Sequence, residues 1–226
     1  MTDHYQIPFP EVTGVILAGG QSSRMGSNKA LLPIRNGRFI EIIHRQLSSL
    51  FCEVLIVANE PETYAFLEGR VVADRYAGLG VLAGLHAALV ETRTRHIFAV
   101  ACDMPFLNDR LIRELVVRRE TAEVVIPETE KGLEPLHAVY STACLAPMEA
   151  ALKENRRRVV SFFPEVRVVR LEPSRVAELD PDALSFRNIN TPQEYFALRE
   201  LEQRSPRTVQ TTTLPQPAPP ERFQFN

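Results

Sequence analysis

Short apolar runs punctuate the first half of the chain, and each stops against a glycine or a polar residue. Val15, Ile16 and Leu17 end at Ala18-Gly19-Gly20; Val54 to Val57 close on Ala58-Asn59; Val71 to Ala73 end in Asp74; Ile97 to Ala101 end in Cys102-Asp103-Met104-Pro105. Runs this short, without polar alternation, predict buried strands. Between the first two, Phe39, Ile42, Ile43, Leu47 and Leu50 recur at helical spacing, which predicts an amphipathic helix over 39–51 with His44 on its solvated side. An Asn36-Gly37 turn signal precedes it. Pro61 opens a short helix through Leu67 that Gly69 breaks, and a further helix starts near Val81. Asn108 or Asp109 caps a helix over 109–120. Val124 to Ile126 and Leu136 to Tyr140 read as strands flanking the charged turn E-T-E-K-G, and Ser141 or Thr142 caps a helix to about Glu154. Val166 to Leu171 alternates like an edge or late strand. Thr191, Pro192 and Glu194 supply an N-cap, an N1 proline and an N3 acid for the last helix. Strand, helix, strand in this order predicts an α/β fold with parallel pairing and right-handed crossovers, Ile97 to Ala101 being its central strand.

Composition narrows the class of partner. At 226 residues the chain fits one α/β domain over 1–203 and a tail over 204–226. The tail is rich in Pro, Thr and Gln without apolar periodicity, so it is expected to be flexible, with Phe223 and Phe225 free to dock. A net charge of -2 gives no electrostatic reason to expect nucleic acid or an anionic membrane; a small ligand is the expectation. The amino terminus shows no signal-peptide pattern and no run approaches the roughly eighteen apolar residues of a membrane span, so a cytoplasmic protein is expected. Cys52, Cys102 and Cys144 are widely spaced without a C-x-x-C pair and read as packing residues. A monomer or weak oligomer is expected.

The chemistry concentrates in Thr13 to Lys29, T-G-V-I-L-A-G-G-Q-S-S-R-M-G-S-N-K. A strand empties there into a loop whose glycines let backbone N–H groups approach an anion, and Arg24 and Lys29 add fixed positive charge. In open α/β sheets the carboxyl ends of the strands are where ligands bind. The spacing matches neither G-x-G-x-x-G nor G-x-x-x-x-G-K-[ST], which disfavours a dinucleotide oxidoreductase and a P-loop. Asp74 and Asp103 reach the same edge; since Asn108 or Asp109 already caps the next helix, Asp103 is free for a metal. Asn155 to Arg158 admits two readings, a solvated basic turn or an anion site reaching over the sheet edge.

These pieces resemble one family, the molybdenum cofactor guanylyltransferases of the sugar-nucleotidyltransferase-like superfamily, over roughly residues 13 to 202. The resemblance rests on the loop above and on A-N, A-D, C-D-M-P, E-P-L-H-A-V-Y, R-R-V and N-I-N-T-P in that order. It implies a three-layer α/β/α Rossmann-like nucleotidyltransferase fold with a mostly parallel sheet. It also implies transfer of GMP from GTP to the phosphate of molybdenum-molybdopterin, giving the guanine dinucleotide cofactor and pyrophosphate with Mg²⁺, and delivery proteins as further partners. By the same resemblance Leu17, Ala18, Gly19, Gly20, Lys29, Asn59, Asp74 and Asp103 bind GTP, Asp103 also holding the metal. Arg24 and Lys29 offset charge on the departing pyrophosphate. His137, Arg157, Asn188 and Asn190 are candidates for the second substrate; His137 reads equally as a histidine packed inside a strand, and Asn190 as a helix-entry residue. The chain departs from the family pattern at Asn28, where Asp is usual, at Val81 in G-V-L-A-G, where Pro is usual, and in its tail.

A phosphate monoester has a second pKa near about 6, so the attacking oxygen is already ionised at neutral pH and no His or Glu base is needed. Cytidylyl transfer to the same cofactor, nucleotidyl transfer to a sugar phosphate, and a non-catalytic nucleotide-binding delivery module are the competing readings. Retention of Arg24, Lys29 and Asp103 argues against the last, because a binder has no use for leaving-group charge.

Overall fold

The computed structural model describes residues 7–19, 28–76 and 78–204. Gly20, Arg24 and the tail beyond Arg204 lie outside the described residues. The first strand, β1 (Phe9–Leu17), begins well before the apolar run that marks it, with a register shift between Phe9 and Thr13. A small hairpin of β2 (Pro33–Ile34) and β3 (Gly37–Arg38) turns at Arg35-Asn36 as the Asn-Gly signal predicts. Helix α1 (Phe39–Ser48) follows, its Glu41 carboxylate accepting the Arg38 N–H at 2.6 Å. It stops before residue 51 because Phe51 already starts β4 (Phe51–Val57), which pairs parallel to β1.

A 3₁₀ turn (Pro61–Tyr64) replaces most of the short helix expected there and leads to β5 (Arg70–Val72). Helix α2 (Val81–Glu91) and strand β6 (His96–Ala101) come next. Asn108 caps α3 (Asp109–Val116), its Oδ1 accepting the N–H groups of Arg110 and Leu111. Strand β7 (Val124–Thr129) turns back through β8 (Gly132–Leu133) and β9 (His137–Ser141). Helix α4 (Leu145–Lys153) is preceded by a 3₁₀ turn that Ser141 caps. A 3₁₀ segment (Val159–Glu165), strand β10 (Val168–Leu171) and helix α5 (Pro173–Leu179) lead to α6 (Pro192–Arg204). Thr191 and Glu194 make the reciprocal cap bonds expected for α6, at 2.9 and 3.2 Å.

The main sheet runs in the order β10-β7-β9-β6-β1-β4-β5, which puts β6 in the middle, β10 at an edge, and β9 as the strand reversed against its neighbours. Helices α1, α3 and α5 cover one face, packing on Ile16, Ile56, Phe98 and Val100. The other face, with Val15, Leu55, Ile97 and Ala99, is covered by α2 and α4. Consecutive apolar residues on β1 and β6 thus serve opposite layers, which is why those strands show no polar alternation. Each fully buried side chain of this kind contributes roughly 1.5–3 kcal/mol. The result is a three-layer α/β/α fold. Among the described residues no helix is long and apolar enough to cross a membrane.

Candidate active site

Parallel pairing brings the last residues of β1, β4, β5 and β6 to one edge: Leu17 lies beside both Val57 and Ala101, and Val57 beside Val72. The chain just past each end supplies the candidate groups. Ala18 continues the ladder by donating its N–H to the Val57 carbonyl at 2.9 Å, and Cys102 donates to the Leu17 carbonyl at 3.1 Å. Gly19 follows, exposed. Asn59 and Asp74 are brought together across β4 and β5, the Asn59 Oδ1 accepting the Asp74 N–H at 3.1 Å. One Asp74 carboxylate oxygen accepts the Tyr76 N–H at 2.7 Å, which fixes its direction.

Helix α2 opens on the same edge. Gly80 enters it at a φ of +78°, a left-handed conformation that disfavours a side chain although there is space for one. Gly84, one turn on, lets the helix close over the ends of β1 and β4, where a Cβ would sit 3.4 Å from Leu17 Cδ2. The first turn carries no acidic residue and no side-chain cap, so its free N–H groups and positive helix end favour an anion here.

A charged cluster forms just past the end of β6. Lys29 Nζ donates to Asn190 Oδ1 at 2.6 Å and lies 3.4 Å from Asp103 Oδ2. The Lys29 and Asp103 side chains are 17% and 19% exposed, so both remain reachable. The backbone holds the third member in place: the Ile189 N–H bonds the Asp103 carbonyl at 3.1 Å, and Asn190 N–H bonds Glu194 at 2.7 Å. Asn190 is therefore both a helix-entry residue and the anchor of the loop lysine. Cys102, next to Asp103, is no nucleophile: burial foremost, and then the neighbouring carboxylate, push its thiol up to about 12.

The remaining candidates fall apart. Arg157 and Asn188 are exposed, Arg157 Nε donating to Asn155 Oδ1 at 2.8 Å. Arg156 instead bonds Glu154 and Glu165, so the basic triplet is part structural and part open. Helix α4 follows the reversed strand β9, and Arg157 lies four residues past the end of that helix. His137 is corrected to a packing residue. It is fully buried, its ring edge-on to Phe98 and Phe186 with centroids 5.1 and 5.4 Å away, and among the described residues neither ring nitrogen has a hydrogen-bond partner. His44, expected in solvent, is half-buried beside Gly69, and Cys52 is exposed rather than packed.

Burial pulls the His137 pKa down to about 3, so the folded protein holds it neutral while the unfolded chain protonates it from about 6.5. The unfolded state therefore binds the extra proton between these values; stability is full above the window and is lost as pH falls through it. His137→Leu should move the midpoint of acid unfolding, followed by circular dichroism, to lower pH. An unchanged midpoint would remove His137 from the acid response.

Residues 14–168 match the family described as MobA-like NTP transferase domain. The chain belongs to that family. It is thus a nucleotidyltransferase. Two relatives are 37% identical to it: a probable molybdenum cofactor guanylyltransferase of Pelotomaculum thermopropionicum, with 86% of this chain and 95% of the relative covered, and a molybdenum cofactor guanylyltransferase of Desulfosudis oleivorans, with 81% and 92% covered. Among solved structures, the transferase superposes with a TM-score of 0.75 on molybdopterin-guanine dinucleotide biosynthesis protein A from Archaeoglobus fulgidus, at 24% identity over 85% of this chain and all of that one. At that identity the superposition speaks for the fold.

Sequence reasoning assembled the Lys29 and Asp103 pair but missed Tyr64, a buried residue whose hydroxyl touches both Asn28 and Ala18. Its only signal was an aromatic residue in a polar turn directly after a strand.

Proposed function

We propose that this transferase moves GMP from GTP to the terminal phosphate of molybdenum-molybdopterin, releasing pyrophosphate and forming the guanine dinucleotide cofactor. The observation that carries the reading is the Lys29, Asp103 and Asn190 cluster beside the end of the central strand, at the same sheet edge where α2 opens without a side-chain cap. The names of the relatives supply the guanylyl and molybdenum cofactor parts of it.

The attacking phosphate oxygen is ionised at neutral pH and forms a bond to the α-phosphorus as the bond to the β-phosphate oxygen breaks. The electron pair leaves with pyrophosphate, and its charge is what the site must offset. Lys29, held by Asn190 and only loosely paired with Asp103, supplies a fixed ammonium for that charge, and Arg24 joins it in this reading. The α2 amides and the Gly19 backbone N–H take phosphate or base-edge oxygens, while Asn59, Asp74, Leu17 and Ala18 frame the nucleoside side. Arg157 and Asn188 remain candidates for the acceptor.

Asp103 fits a divalent ion of the magnesium type. Among the described residues no three His, Cys, Asp or Glu side chains form a cage, and Mg²⁺ characteristically takes one or two carboxylates and completes its shell with substrate phosphates and water. When bound there, such an ion neutralises phosphate charge.

Base choice tests the reading. A site that hydrogen-bonds one base edge rejects others strongly, because buried polar groups are left unpaired. With Mg²⁺, GTP should raise the melting temperature more than CTP or ATP at equal concentration, and Asn59→Ala should shrink the difference. A preference for CTP, or equal protection by both, would move the chain to cytidylyl transfer.

A further inference from the structure

Tyr64 closes a chain of hydrogen bonds that the transfer chemistry leaves unexplained. It ends the 3₁₀ turn after β4, and only 2% of it is exposed. Its hydroxyl receives a hydrogen bond from Asn28 Nδ2 at 2.9 Å and lies 3.3 Å from the Ala18 carbonyl, to which it donates. Ala18 is the first residue past β1, and Asn28 directly precedes Lys29. One buried phenol therefore ties together the residues on either side of the Gly-rich stretch.

The direction of these bonds is set by Asn28. Its Oδ1 accepts the Ala30 N–H at 3.1 Å and so caps the 3₁₀ turn Lys29–Leu31. With the oxygen committed, the amide NH₂ must face the phenol, and a phenol that receives a hydrogen bond keeps its own proton for the Ala18 carbonyl. Burial raises the Tyr64 pKa against the opposing pull of the Asn28 hydrogen bond, so that proton is present at neutral pH.

We propose that Tyr64 is a positioning residue of the nucleotide site, clamping the Ala18 carbonyl to the base of the loop, and that the clamp works because residue 28 is Asn rather than Asp. The proposal rests on the nucleotide reading of this edge. A carboxylate at position 28 has acceptors only. It would accept the hydrogen bond of the phenol hydroxyl, turning a lone pair of Tyr64 toward the Ala18 carbonyl where a donor now stands. Neither Tyr64 nor Asn28 reaches the anchors of Lys29, which are Asn190 and Asp103. Loss of the clamp therefore weakens nucleotide binding without touching the charge that serves the chemical step.

The test is a double-mutant cycle of Tyr64→Phe and Asn28→Asp. Steady-state transfer is followed with GTP and with CTP, and thermal melting without nucleotide. Each single variant should raise KM for the preferred nucleotide about three- to tenfold, the effect of losing one ordinary hydrogen bond. The kcat should stay within about twofold, as expected when binding common to ground and transition states is lost. The double variant should be no worse than the poorer single one in either KM or melting temperature. Unchanged KM in both singles, or additive losses in the double, would overturn the clamp. If the wild-type protein used neither GTP nor CTP, the nucleotide reading would fall, yet the melting temperatures would still decide the clamp: non-additive losses support it and additive losses sink it.

Discussion

Asp103→Ala is expected to abolish Mg²⁺-dependent transfer, with turnover reduced at least about a thousandfold, and to leave the fold standing. The expected size follows from what the carboxylate does. In the described part of the site Asp103 is the carboxylate facing Lys29 at the end of the central strand, and metal neutralisation of phosphoryl charge is worth several kcal/mol, about tenfold for each 1.4. The stability cost is small because the pair is long, at 3.4 Å, and Lys29 keeps its hydrogen bond to Asn190, so no charge is left without a partner. The measurement is pyrophosphate release against Mg²⁺ concentration, beside a circular dichroism melt. A folded Asp103→Ala protein with near-normal turnover would end the metal role of this residue.

Lys29→Ala should lower turnover at least about a hundredfold, comparable with deleting one oxyanion donor. Two contacts make this lysine a fixed charge rather than a mobile one: its Nζ bonds Asn190 and faces Asp103. A charge held in place beforehand needs no reorganisation as the pyrophosphate leaves. Lys29→Met keeps the aliphatic stem and should lose as much, which separates charge from packing. Equal turnover in wild type and Lys29→Met would sink the assigned role, whatever Lys29→Ala did.

The elements read most directly from the sequence are those whose cause is local. Thr191, Pro192 and Glu194 announce α6 because a cap is made by residues within one turn, and the runs ending at Leu17, Val57 and Ala101 announce strands because burial on both faces removes polar alternation. Helix α5 and the 3₁₀ segment after Arg158 went unannounced: each is short, and their apolar residues, such as Val176 and Phe162, take their spacing from the layer they cover. In the site, Asp103 was legible as a carboxylate directly after a buried strand. The partnership of Lys29 with Asn190 was not, since those residues meet only when α6 folds back across the edge. His137 stood between two readings for the same reason. A histidine in a strand carries no mark of which layer it faces, and only the rings of Phe98 and Phe186 show that it points into the core.

The reversal of β9 divides the sheet edge into two kinds of architecture. On the side of β1, β4 and β5, every residue at the edge is the outgoing end of a strand that must cross back through a helix or a long connection before pairing again. A change of length there disturbs a layer of the fold. On the side of β7 and β9 the chain turns round within the edge itself, through Glu130 and Lys131, and re-enters the sheet with no crossover at all. Insertions or substitutions at that tip add bulk or charge to the rim while leaving the strands, the helices over them and the lysine and aspartate of the other half where they are. One half of the edge is therefore held in length by its crossovers and the other ends in a free turn, and that turn is where added bulk or charge disturbs the fold least.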